Sequence, residues 1–170
     1  IVADTWPGTA STMVVATGRN FYDALSAAPY AGSVNAPLLL VDGLRTGPNG
    51  NPALDSATLS TISRLRPTTR LVVGDSKTVT ADVWRTVIGT SLEPMTERRM
   101  WGTDRYRTNQ HMNGFGFDDA DTVYIASGTD YPDALAGGVL AAAGDDPLFL
   151  VPGNCVPRQV LWEIDRLGAT

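Results

Sequence analysis

Short apolar runs, separated by glycine turns and by stretches with helical spacing, recur along the whole chain. Five runs are predicted as strands, at residues 13–17, 37–41, 70–74, 123–126 and 147–151. They are apolar almost throughout rather than alternating with polar residues, which is typical of a sheet covered on both faces. The stretches between them place apolar residues three and four positions apart, as helices do. The pattern predicts an α/β fold with a mainly parallel sheet flanked by helices on both sides.

The predicted helices have recognisable starts. The main ones cover residues 21–33, 54–65, 131–143 and 156–167. Two more are expected to begin after capping residues, one after Thr80 and one after Thr103, with a short extended piece over 94–100 between them. The first helix has a face of small residues, so it is expected to approach a sheet or another helix closely. That face comprises Ala24, Ala27, Ala28 and Ala31.

One strand–turn–helix–strand unit occurs twice. Residues 14–43 align without a gap with residues 124–153, and eleven of the thirty aligned positions are identical. The first copy then carries eight extra residues in the glycine- and proline-rich loop 42–52. We therefore predict two repeat modules, a nearly complete one over 1–100 and one over 101–170 that lacks its final strand and helix. Open ends of repeat arrays need a neighbour or a cap.

Composition narrows the classes of function. The formal net charge is −5, which argues against nucleic-acid binding through a broadly basic surface. No run of 18 apolar residues occurs, so we expect no membrane insertion. The single cysteine, Cys155, is either a buried small hydrophobic residue or a partner in a pairing outside this sequence. The 13 basic residues include only one lysine, Lys77, so anion binding would depend on arginine.

Four polar residues flank the starts of the two repeated helices. Asn20 and Asp130 are of the type that caps a helix, and Asp23 and Asp133 follow three residues later, in the first turn. Carboxylates there satisfy free N–H groups and the positive end of the helix dipole. We favour this structural role over catalysis. The sequence contains no glycine-rich phosphate-binding motif, so no nucleotide cofactor is expected.

Metal binding has little support in the sequence. His111 is the only histidine, and no histidine–cysteine cluster accompanies it. Aspartates also occur together at 118–121 and 145–146, but without the spacing of a calcium loop. We interpret them as solvated turns and expect no metal site.

The densest group of basic residues is the best local candidate for binding an anionic polymer. It comprises Arg98, Arg99, Arg105, Tyr106 and Arg107. Arginine suits this role because its planar guanidinium binds phosphate and carboxylate groups with paired hydrogen bonds. The alternative is that Glu97 and Asp104 pair with these arginines in a structural network. Tyr106 and Trp101 could stack on sugar rings, although Trp101 fits a core position equally well.

Several motifs together resemble the cell wall binding repeat 2 family. They are VVATGRNFYDAL at 14–25, APLLL at 36–40, VVG at 72–74, WGTDRY at 101–106 and ASGTDYPDALA at 126–136. The resemblance implies a non-catalytic module that holds an attached domain to anionic polymers of a Gram-positive cell wall, outside the cell. It also implies Toprim-like α/β modules arranged as trimers or pseudo-trimers of repeats. The resemblance also implies a partner for Cys155, because in some family members a cysteine at this position pairs with another cysteine further downstream.

Two other classes of function remain open at this point. The small-residue helix faces and the incomplete second copy are compatible with a structural module that assembles repeats and has no ligand site of its own. An α/β enzyme would require Asp23, Asp104 or Asp133 to act as acid or base, and hence to meet in one cleft.

Overall fold

The computed structural model describes residues 2–47, 53–89 and 96–169. Its strands are β1 Thr12–Thr17, β2 Leu38–Val41, β3 Thr69–Val73, β4 Thr96–Met100, β5 Tyr124–Ser127 and β6 Leu148–Val151. Its helices are α1 Val2–Thr5, α2 Tyr22–Ser33, α3 Ser56–Leu65, α4 Ala81–Ile88, α5 Arg105–Gly116, α6 Pro132–Gly144 and α7 Arg158–Leu167. Residues 48–52 of the predicted loop and residues 94–95 of the predicted extended piece lie outside the described residues.

Strand β1 lies inside a four-stranded parallel sheet with the order β2-β1-β3-β4. Val15 pairs with Leu39 of β2 on one side and with Val72 of β3 on the other. The whole segment 13–17 of β1 is fully buried. Its continuous apolar character follows from this position, because both of its edges are paired and both of its faces are covered.

Helices cover both faces of this sheet. Successive strand residues point to opposite faces, so Met13 and Val15 pack on one side with residues of α3 and α4, such as Ile62 and Val83. On the other side, β1 contributes Val14 and Ala16, α2 contributes Ala27 and Ala31, and α5 contributes Met112. The predicted close approach of the alanine face of α2 to the sheet is therefore confirmed.

A second sheet of two parallel strands repeats the arrangement in the other copy. β5 pairs with β6, with Ile125 opposite Phe149. Leu148 and Leu150 pack with α6, whereas Phe149 and Val151 pack with α7 on the opposite face. The predicted α/β fold with a parallel sheet between helices is confirmed. The Toprim-like arrangement and the division into modules at residue 100 stay predictions.

The two copies are joined mainly through helices. α2 packs along α6 so closely that a Cβ added to Gly32 would lie 2.4 Å from the Cβ of Ala142. α5 lies between α2 and the free edge of β6. There the amide of the fully buried Asn109 accepts from Leu150 N at 2.8 Å and donates to Leu148 O at 2.9 Å. A side chain thus takes the place of a neighbouring strand on this edge.

One of the four predicted helix caps is correct and three need correction. Thr80 caps α4 by accepting from Val83 N at 3.3 Å. α5 is capped by Asp104, which accepts from Arg107 N at 2.9 Å, and the prediction of Thr103 was one residue early. α2 and α6 begin after Phe21 and Tyr131, without any side-chain cap.

The predicted capping role of Asn20 and Asp130 is therefore wrong. The backbone is already helical at Phe21 and Tyr131, which moves the start of each helix one residue beyond the polar side chain. Asp130 instead accepts from the adjacent Tyr131 N at 2.8 Å. Asp23 and Asp133 do lie in the first turns, as predicted, but neither caps its helix.

Candidate functional site

The predicted anion-binding residues on α5 divide between two sides of the helix. Arg105 and Tyr106 face the second copy. The Arg105 guanidinium lies 3.5 Å from the ring centroid of Tyr22 and donates to Gly128 O at 2.9 Å. Tyr106 packs in the core cluster formed with α6 and β6. These two residues therefore connect the two copies in the structure. Both are half-buried, so less of their surface is open to a ligand than the sequence prediction assumed.

The two arginines of β4 point to opposite faces of the sheet, because Arg98 pairs with Leu71 and Arg99 with Val72. Arg99 lies on the α4 side, where it donates to Gly74 O at 2.9 Å and also to Val79 O. Burial lowers the pKa of Arg99, and the nearby Asp75 and Asp23 act against that shift. Arg99 thus ties β4 to the end of β3.

Arg98 and Arg107 are more available to a ligand. The exposed Arg98 lies over the ring of Phe115, 5.3 Å from its centroid. The exposed Arg107 donates to the side chain of Gln110 at 2.7 Å. The ion pairs found in the described part of the chain, Arg19–Asp42, Arg85–Asp82 and Arg166–Glu163, include neither of them. The alternative that Glu97 and Asp104 neutralise this group is not what the structure shows.

A groove runs along the exposed side of α5. It consists of two adjoining depressions of about 750 and 390 Å³ that share Met100, Arg107 and His111. The larger depression extends between α5 and α7 and is also lined by Gln110, Gly114, Phe115, Gln159, Trp162 and Glu163. The smaller one extends toward the end of β4 and is also lined by Arg99, Trp101, Gly102 and Thr103. We call this feature the α5 groove.

Each depression of the α5 groove contains an exposed tryptophan. Trp101 is 52% exposed and Trp162 is 60% exposed. The carbonyl of Trp101 is hydrogen-bonded to Nδ1 of His111 at 2.7 Å, which joins the loop before α5 to the helix itself. The sequence was compatible with either a core or a surface position for Trp101, and the structure places it on the surface. Trp162 was missed, although it lies off the buried stripe that Val160 and Leu167 define on α7.

The predicted catalytic alternative is not supported by the placement of its carboxylates. Asp23 is 5% exposed, and its Oδ2 has no hydrogen bond of good geometry among the described residues. Burial raises the pKa of Asp23, while the neighbouring Thr78 and the charge of Arg99 act to lower it. Asp133, its counterpart in the second copy, is exposed. Asp104 caps α5.

Other candidate features add no chemistry to this site. Asp119, Asp121, Asp145 and Asp146 line a depression of about 460 Å³ at the far end of β5. Within the described ranges, no three histidine, cysteine or acidic side chains are grouped so that they could hold a metal ion. Cys155 is exposed and unpaired in the structure. None of the helices described is both long and apolar enough to cross a membrane.

The chain is similar to part of two longer proteins, an amidase enhancer and an amidase. It is 30% identical over 171 aligned positions to the amidase enhancer of Bacillus subtilis, covering 96% of this chain and 22% of that protein. It is 27% identical over 147 positions to the N-acetylmuramoyl-L-alanine amidase LytC of the same species, covering 86% and 27%. The chain thus spans about a quarter of the length of these relatives.

Solved structures and a family model agree with this similarity. The fold matches Cwp6 from Clostridium difficile with a TM-score of 0.76 and 23% identity, over 95% of this chain and 24% of that one. It matches Cwp8 from the same species with a TM-score of 0.74 and 20% identity, over 89% and 25%. The model of cell wall binding domain 2 matches residues 1–84 and 99–164. The chain belongs to the cell wall binding domain 2 (CWB2) family.

Proposed function

We propose that this CWB2 domain holds an attached protein non-covalently at a Gram-positive cell surface by binding an anionic polymer of the wall. The observation that carries the proposal is the pair of exposed arginines, Arg98 and Arg107, beside the α5 groove. Both guanidinium groups are free of ion pairs within the described structure. A phosphate or carboxylate group would supply the anionic partner that each lacks.

A local site is required because the chain as a whole is acidic. With a net charge of −5, its overall field repels a polyanion, so attraction must come from clustered arginines at short range. Such contacts weaken as salt is added, since the Debye length shrinks from about 10 Å at 0.1 M to about 3 Å at 1 M. We therefore expect retention on walls to fall with increasing ionic strength.

The direct test is sedimentation with purified Gram-positive cell walls, before and after removal of their secondary polymers. The proposal expects retention on intact walls and its loss on stripped walls. Equal retention on both, or none on intact walls, contradicts it.

A matched pair of variants locates the contact. The double variant Arg98→Gln/Arg107→Gln removes both unpaired charges and is expected to weaken retention about tenfold. Arg45→Gln removes one exposed arginine outside the groove and serves as the control. Equal retention by the two variants would show that Arg98 and Arg107 are not the contact.

An assembly role is the second candidate, supported by an exposed apolar face on α6. Leu135, Val139 and Leu140 are each more than half exposed and lie on one side of the helix. The opposite side of α6 already packs on α2, so the helix is suited to contact two neighbours. We propose that a further repeat of the same kind covers this face, in the same chain or in a trimer.

Mass measurement in solution tests the assembly role. If the face binds another copy, the mass should rise with concentration, and Leu135→Gln/Val139→Gln should return it to that of a monomer. Ile125→Gln changes an exposed apolar residue elsewhere and is the control. A wild-type chain that stays monomeric at high concentration would remove the idea of self-association.

In both roles the domain itself performs no chemistry. The amidase activity named for one relative is that of a protein about three times as long, and this chain covers only 27% of it. We propose that any catalytic function belongs to an attached domain. Incubation of the isolated chain with labelled cell walls should release no soluble fragments.

A further inference from the structure

The two tryptophans of the α5 groove are unusual surface residues. An indole is largely apolar, and each of these exposes more than half of its surface to water. They do not form one apolar patch, because Arg107, His111 and Gln110 line the groove as well. The groove therefore alternates apolar faces with groups that form hydrogen bonds.

This alternation matches the chemistry of a sugar chain. A pyranose ring has an apolar face of C–H groups, which packs against an aromatic ring, and a rim of hydroxyls that donate and accept hydrogen bonds. An apolar protein helix would instead leave the polar groups of the groove without partners, which is costly. The volume of the larger depression, about 750 Å³, lies within the range of about 300–1,000 Å³ found for ligand clefts.

We propose that the α5 groove is a glycan subsite in which Trp101 and Trp162 each stack on a sugar ring and Arg107 holds an anionic substituent of the same chain. The inference deepens the proposed wall-binding function and rests on it. What it adds is the place and the mode of contact: Trp101 and Trp162 of the α5 groove stack on sugar rings, so that stacking contributes to binding alongside charge.

The surrounding contacts support this occupant. Glu163 would repel an anion, but Arg166 donates to its carboxylate at 2.9 Å and so offsets its charge. Gln110 is buried and its side chain accepts from Arg107, which keeps the guanidinium at the groove wall. His111 uses Nδ1 for the Trp101 carbonyl, leaving Nε2 for a hydroxyl of the ligand.

The experiment measures retention of the full chain on intact Gram-positive walls as a function of salt. Trp101→Ala/Trp162→Ala is expected to bind at least about tenfold more weakly, as when aromatic anchors are removed from an interface. Its salt dependence should match that of the wild type, because no charge is lost. Arg107→Gln should bind more weakly with a shallower salt dependence. Tyr131→Ala removes an exposed aromatic ring outside the groove and should bind normally.

A second readout uses the tryptophans themselves. Polymer released from the walls and titrated into the chain should protect tryptophan emission from quenching by acrylamide, and the protection should be absent in the double tryptophan variant. Because both rings are exposed, that variant should unfold at the wild-type temperature, which circular dichroism verifies.

The outcomes separate the two levels of the proposal. Wild-type retention that is unchanged in the double tryptophan variant overturns the glycan subsite and leaves wall binding intact. No wild-type retention overturns both. If the tryptophan variant loses self-association instead of retention, the groove is an interface between copies, and the glycan subsite is wrong.

Discussion

Replacing Asn109 with alanine should destabilise the second copy of the fold. The Asn109 amide is fully buried and bonds to both Leu148 O and Leu150 N, the free edge of β6. Without it, the buried N–H of Leu150 loses the partner that the structure shows, at a cost of about 1–3 kcal/mol. The lost bond to Leu148 O adds about 1 kcal/mol, since Asn113 still donates to that carbonyl at 2.9 Å.

The expected total of about 2–4 kcal/mol is a large part of the stability of a small domain, which is about 5–15 kcal/mol. Thermal unfolding followed by circular dichroism should therefore show a midpoint lower by about 5–15 °C. Asn113→Ala is the matched control on the same helix and should cost less. Its Oδ1 is buried without a hydrogen-bond partner in the described structure, and Leu148 O keeps Asn109.

Asn109→Asp provides a pH test of the same contact. The ionised carboxylate can still accept from Leu150 N, but it cannot donate to Leu148 O and is a buried charge. The protonated acid can do both, so this variant should regain stability as the pH falls. The amide does not replace a strand on this edge if Asn109→Ala loses less than about 1 kcal/mol of unfolding free energy. The same holds if the stability of Asn109→Asp does not rise relative to wild type as the pH falls.

Two further predictions concern α2. Gly32→Ala would place a Cβ 2.4 Å from that of Ala142, so it should destabilise the contact between α2 and α6 by about 1–3 kcal/mol, measured by urea unfolding. Gly8→Ala, which has open space around it, should leave the stability unchanged. Equal stability of the two variants would contradict the close approach. Asp23 has a pKa raised above its ordinary value of 3.8, so the folded state loses stability as the pH rises from about that value through the raised pKa. Asp23→Asn should abolish this loss and gain stability relative to wild type between acid and neutral pH, by about 1.4 kcal/mol for each unit of the shift. Asp133→Asn makes the same chemical change at the exposed equivalent position and is the control; parallel pH profiles for Asp23→Asn and wild type would refute the reasoning.

The strands and the parallel sheet could be predicted because they depend on local, repeated patterns. A run such as 13–17 is apolar at every position but its last, and the same unit recurs in the second copy. The alanine face of α2 likewise predicted close packing. These features follow from periodicity alone, and they determine the class of fold.

The candidate site could not be predicted to the same extent because its parts come from different elements. Arg98 and Arg99 are adjacent in sequence, but the strand they share sends them to opposite faces of the sheet. Arg105 and Arg107 separate around one helix in the same way. Trp162 entered the site only through the packing of α7 beside α5, which no local pattern in the sequence reveals.

Helix α5 shows most clearly what the sequence alone does not predict. Its sequence, RYRTNQHMNGFG, is strongly polar and resembles that of a solvent-exposed helix. In the structure, Thr108, Asn109, Gln110 and Asn113 are all buried. Asn109 and Asn113 bond to the backbone of β6 at its outer edge, where an apolar side chain would leave N–H and C=O groups without these partners. Thr108 accepts from Gly102 N, and Gln110 accepts from Arg107. Only the tertiary arrangement explains these residues.

The charged composition of β4 has a consequence for solubility. This strand is at the margin of the four-stranded sheet, where its outer backbone groups could pair with a strand of another molecule and begin aggregation. The exposed Glu97 and Arg98 oppose such pairing, as charges on edge strands do in soluble proteins. Removing Arg98 to study binding would therefore also weaken a safeguard against fibrous association, and any variant at this position has to keep a polar side chain.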